Sequence, residues 1–125
     1  MTKIEQKMPE EWSVKKVNEI GRVITGSTPP MSCSENYGGT FCWATAQDFK
    51  GKYITDSGVK LSSKGKELSH ILPVGSVLVT CIASIGLNAI AKIEMATNQQ
   101  INAIIVNKNN NNEFVYYQIS QNVNM

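Results

Sequence analysis

With a single histidine, His70, the chain has no second imidazole for a histidine-based metal site. Cys33, Cys42 and Cys81 are odd in number and lack CxxC spacing, which argues against a disulfide framework and a zinc site and fits a reducing cytoplasm. No run approaches the ~20 apolar residues of a membrane span. The polar opening, Met1 to Glu11, lacks an apolar signal-peptide core, so the expected location is cytoplasmic. Phosphate-binding GxxxxGK(S/T) and GxGxxG loops are missing, as is a Gly-x-Ser-x-Gly nucleophile elbow. Thr28-Pro29-Pro30-Met31 resembles the amino-methyltransferase signature Asn/Asp-Pro-Pro-Tyr/Phe only superficially. Asp48, Asp56, Glu67 and Glu94 stand apart, giving no paired-carboxylate pattern. Together these absences argue against an enzyme, and no cofactor or metal is expected.

A hydrophobic content of 42% against 18% charged residues is that of a globular chain, and 125 residues suffice for one core. The net charge of +2 is modest, but its distribution is uneven. Lys50, Lys52, Lys60, Lys64 and Lys66 face only Asp56 within their stretch, a local balance of +4 that leaves −2 for the rest. Such clustering suits an electrostatic footprint for nucleic acid, and equally a solvated lysine-rich surface.

The pattern predicts an α+β fold, a mainly antiparallel, twisted sheet with a few short helices. Residues 1–11 read as a lead-in, and Trp12 to Val17 as a short strand or one helical turn. Val17, Ile20, Val23 and Ile24 form an apolar face before the Gly26-Ser27-Thr28-Pro29-Pro30 turn. Thr40 to Thr45 reads as a strand and Ala46 to Lys60 as irregular. Ser62 or Ser63 caps a helix running to about His70, with Leu68, Ile71 and Leu72 inward. Leu72-Pro73-Val74-Gly75 suits a type I turn. Strands are expected at Ser76–Ile82, Leu87–Ile93 and Ile101–Val106, with a turn at Ala83–Gly86 too short for a parallel crossover. A helix over Glu113–Gln121 follows an asparagine-rich loop, and Phe114 and Tyr117, like Trp12 and Trp43, read as core.

Several blocks, in order, resemble the target-recognition domain of type I restriction-modification specificity subunits. Trp12, Val14, Val17 and Ile20 are similar to its W-x-V-x-x-L-x-x-I opening, with valine where leucine is usual. Gly26-Ser27-Thr28-Pro29 resembles its G-x-T-P turn, and Tyr37-Gly38-Gly39-Thr40 with Trp43 its Y-x-G-x-I-x-W segment, followed by an acid, here Asp48. Leu61-Ser62 with Gly65, Leu72-Pro73-Val74-Gly75-Ser76-Val77-Leu78, Ser84-Ile85-Gly86 and Asn98-Gln99-Gln100 resemble the helix-start, L-P-x-G-S-V-L, S-I-G and N-Q-x blocks. Phe114 to Tyr117 resembles the aromatic helix that comes next.

The resemblance implies a domain over 12–125, truncated before the family's spacer helix, that reads one half of a split double-stranded DNA site. Its implied partners are DNA, the methyltransferase and restriction subunits, and a second specificity half-subunit. Phosphates call for cations, base edges for amides and hydroxyls. The candidate DNA-binding residues are therefore Thr45, Gln47, Lys50, Lys52, Lys60, Lys64, Lys66 and Ser84. Lys64 and Lys66 fall in a first helical turn, where the macrodipole disfavours cations; a helix start aimed at phosphate would explain them, as would lysines pointing into water. Asn98, Gln99 and Gln100 read as buried amides or as DNA contacts. Two other readings stay open. One is a half-subunit serving as an interaction or dimerisation module through a Phe114–Ile119 face; the other is a small hydrolase around Ser84, Asp48 and His70.

Overall fold

A computed structural model describes residues 20–82, 85–108 and 110–123; the Trp12 block and Ser84 lie outside them. Two sheets organise this region. The larger contains β1 (Gly21–Thr25), β3 (Tyr53–Ile54), β5 (Val77–Ile82), β6 (Ile85–Ala91) and β8 (Ile101–Val106), in the order β1-β8-β5-β6-β3. The smaller contains β2 (Tyr37–Ala44), β4 (Val59–Leu61) and β7 (Ala96–Thr97), in the order β4-β2-β7. Pairings are antiparallel except β3 with β6 and β2 with β7. Two short helices, α1 (Ser63–Glu67) and α2 (Asn112–Val123), complete the expected α+β class.

Strand β5 explains why its sequence is nearly continuously apolar: it is central and covered on both faces. Val77 and Val79, with Ile90 and Ile104, pack beneath Val115 and Ile119 of α2. On the opposite face Leu78, Ala89, Ile101 and Ala103 meet Cys42 and Ala44 of the second sheet, with Ile54, Leu72 and Met95. Polar side chains on the first face bond one another or α2, except that the buried Asn102 Nδ2 has no partner among the described residues. Thr25 donates to Asn102 at 2.7 Å, and the Asn88 amide donates to the Tyr116 carbonyl at 2.9 Å while bonding the Ser120 hydroxyl.

The structure corrects several expectations. Ile85 and Gly86 continue the β5–β6 ladder, where a turn was expected: Ile82 pairs with Ile85 and Cys81 with Gly86. The irregular stretch Ala46–Lys60 contains β3 and the start of β4. Helix α1 is capped by Ser62, whose hydroxyl accepts from Gly65 N–H, but ends at Glu67; Leu68 and Ile71 are exposed and only Leu72 is buried. Ser76 N–H closes a turn onto the Pro73 carbonyl, one residue later than expected. Gly75 then sits at the third position with φ 94°, which a type II turn reserves for glycine. On α2 Phe114 and Tyr117 lie outward, 62% and 51% exposed, while the smaller Val115 and Ile119 make the core with Tyr116 packed against it. Ile119 is fully buried and belongs to no exposed face.

Candidate nucleic-acid interface

The segment from Thr45 to Gly58 leaves β2, runs through β3 and returns to β4 as a loop tied at both ends by one carboxylate. Asp48 accepts from Thr45 N–H at 2.8 Å and from Gly58 N–H at 2.9 Å. Those two bonds satisfy backbone donors at the two ends of the excursion. A 3-10 turn over Ala46–Asp48 follows Thr45 and sets Gln47 outward. Ser57, buried, accepts from Trp43 N–H at 3.0 Å and donates to the Val59 carbonyl, so the return limb is fixed to β2. The result is a braced loop whose exposed side chains, Gln47, Lys50, Tyr53 and Thr55, rim a cleft of about 390 Å³.

Of the candidate residues, Thr45, Gln47 and Lys50 come together on this loop. Lys60 reaches its rim but pairs with Asp56 at 2.7 Å and donates to the Ser57 carbonyl. That pairing, through its hydrogen bond first, holds the Lys60 ammonium above and the Asp56 carboxyl below their ordinary ranges. Lys52 turns the other way, toward α2, and binds Glu113 and the Tyr117 hydroxyl. Lys64 and Lys66 lie apart on α1: Lys64 pairs with Glu35 at 3.1 Å, and Lys66 stands over the Phe41 ring at 4.7 Å. Glu113 and Glu35, which come from outside the stretch, thus halve its local excess of +4. Among the described residues, only Lys50 and Lys66 of the five lysines lack an acidic partner. Ser84 lies outside the described residues.

Glu35 and Glu113 were missed from the sequence because they lie 29 and 61 residues from the lysines they meet. Lys92 was missed too; it is exposed, follows β6 directly and stands over the Tyr53 ring at 4.3 Å. The Asn98 block proves architectural at its first residue, whose side chain accepts from Gln100 N–H at 3.2 Å, while Gln99 and Gln100 are exposed, not buried. It meets the Gly26–Pro29 segment, where a turn is expected from the sequence but the chain turns only later, with Cys33 N–H closing onto the Pro30 carbonyl. There Ser27 N–H bonds the Thr97 carbonyl, Thr28 bonds Gln99, and Trp43 Nε1 donates to the Ser27 carbonyl at 3.0 Å. Both oxygens of Asp48 are occupied by backbone, and His70 is an exposed residue beyond α1. What the loop offers chemically is a rigid display of an amide, an ammonium and hydroxyls.

A family model described as the type I restriction modification DNA specificity domain matches residues 9–124. The MjaIX specificity subunit of Methanocaldococcus jannaschii is 39% identical over 116 residues, covering 89% of this chain and 27% of that protein. The HindI specificity subunit of Haemophilus influenzae is 32% identical over 117 residues, covering 91% and 26%. The chain therefore spans about a quarter of the length of these curated relatives. Two solved chains share the fold. One, from a type I R-M system, has a TM-score of 0.66 at 19% identity and covers 85% of this chain and 26% of its own. The other, the HsdS subunit from Thermoanaerobacter tengcongensis, has a TM-score of 0.63 at 17% identity, covering 83% and 26%.

Proposed function

Because the chain belongs to the type I restriction-modification DNA specificity domain family, we propose that it reads one half of a split double-stranded site and leaves the chemistry to other subunits. The observation that carries this is the loop braced by Asp48, which presents Gln47 and Lys50 outward from a sheet scaffold. A base reader needs a side chain held in register, because a bidentate amide contact discriminates only within narrow geometry. Gln47 is the base-reading residue, with Thr45 at the foot of the same loop. Lys50 and Lys66 make the primary phosphate contacts. Lys60 and Lys64 reach the backbone by exchanging Asp56 and Glu35 for phosphate, and so contribute less. The whole complex adds the methyltransferase and restriction subunits, with a second specificity half to read the other half-site.

A binding titration against salt on the selected duplex tests the assignment. Lys50→Ala is expected to weaken all duplexes alike and reduce the slope of log affinity against log salt by about one. Gln47→Ala is expected to lose about 1–3 kcal/mol of discrimination at one base pair and leave that slope unchanged. An unchanged slope in the first and unchanged discrimination in the second would remove both residues from the interface. The exposed Phe114 and Tyr117 favour a second reading, an interaction or dimerisation module without DNA affinity. It predicts a concentration-dependent assembly lost in Phe114→Ala, with no duplex bound.

A further inference from the structure

Lys52 stands two residues from Lys50 but in different surroundings. Its ammonium bonds the Glu113 carboxylate and lies 2.9 Å from the Tyr117 hydroxyl. The rings of Tyr53, Tyr116 and Tyr117 surround it at 5.2, 5.8 and 4.6 Å. Glu113 also accepts from the Tyr53 hydroxyl at 3.1 Å, so both partners are held by a shared neighbour set. The backbone of Lys52 is fixed as well: its carbonyl accepts from Ile90 N–H at 2.7 Å. Its side chain spans a groove with Phe49 and Gly51 on the loop side and Tyr116, Tyr117 and Ser120 on the α2 side. With a side chain only 25% exposed, Lys52 is the most enclosed lysine among the three ion pairs.

We infer that Lys52 is a positioning residue, not a DNA contact: it clamps the end of the 45–52 loop to α2 through Glu113 and Tyr117, and thereby sets where Gln47 and Lys50 meet the duplex. To serve a phosphate, the ammonium would have to leave Glu113, the Tyr117 hydroxyl and three tyrosine rings together. That is a larger loss than Lys60 or Lys64 incurs by releasing a single, more exposed carboxylate, and one that Lys50 does not incur at all. The consequence for DNA rests on the proposed function; the clamp itself does not.

The test therefore has two arms, both on the full chain. In the first, amide hydrogen exchange is followed over residues 46–53. Glu113→Gln and Lys52→Met are expected to speed exchange there about threefold or more, and Lys52→Arg to keep it near the parent rate. In the second, affinity is measured for a selected duplex and a scrambled one. The clamp predicts that Glu113→Gln and Lys52→Met each lower the selected-to-scrambled ratio about threefold or more, with the salt slope unchanged. A phosphate-contacting Lys52 would instead lower both affinities equally, reduce the slope by about one in Lys52→Met, and let Glu113→Gln bind more tightly. That pattern overturns the inference, as does unaltered exchange in both variants. If the parent chain prefers no duplex, the proposed function fails while the exchange arm still decides the clamp.

Discussion

Individual residues carry much of the local precision. Gly65 is the clearest case: a Cβ added there would lie 2.1 Å from the Asn36 carbonyl oxygen. Helix α1 can seat against the 3-10 turn at Ser34–Asn36 only because that position has no side chain, while Ser62 N–H bonds the same carbonyl at 2.9 Å. Gly65→Ala should therefore destabilise the chain by about 1–3 kcal/mol, although alanine is the better helix former. Urea denaturation checks it, and an unchanged or raised midpoint contradicts it. Asp48 illustrates the other kind of dependence, a short acidic side chain whose two oxygens hold two separated backbone donors. The sequence marks Asp48 by family pattern alone; its role becomes visible only when Thr45 and Gly58 are seen together. Charge is the least legible property at this scale, since Lys52 and Lys64 are neutralised by Glu113 and Glu35 from elsewhere in the chain.

At the scale of elements, period and turn chemistry were readable where strands are long. The apolar run ending at Ile82 and the alternation in Leu87–Ile93 correspond to β5 and β6 within a few residues. Strands β3 and β4 escaped because two and three residues within a polar stretch carry no period. The spacing locates helix α2 to within two residues at either end but does not identify its buried face. Bulk suggested Phe114 and Tyr117 as core, whereas Val115 and Ile119, one turn apart, are the residues that reach the sheet. Ile119→Ala should cost about 2–5 kcal/mol, and Phe114→Ala should be close to neutral. Thermal unfolding distinguishes them, and the reverse ranking would contradict the docking described. Asn88 adds the polar half of that contact, since its amide joins the Tyr116 carbonyl and the Ser120 hydroxyl. The clamp at Lys52 then extends the same helix to the loop, so β6, α2 and the 45–52 segment form one mechanical unit.

For the whole molecule, a larger sheet covered on both faces supplies the base, and the polar Thr45–Gly58 segment, which leaves the smaller sheet and returns to it, supplies an exposed polar surface. Such a division suits recognition, because discrimination between bases depends on holding a few amides and amines still rather than on moving them. The family and the α+β class were legible from ordered motifs; which lysines remain available was not, because ion pairing is a property of the folded chain. The most direct measurement is a selection from random-sequence duplexes, run with this chain alone and again with methyltransferase and restriction subunits of a type I system. Enrichment of one short motif in either condition, weakened at a single position by Gln47→Ala, is the predicted result. Recovery of no motif in both would contradict the claim that this scaffold reads DNA.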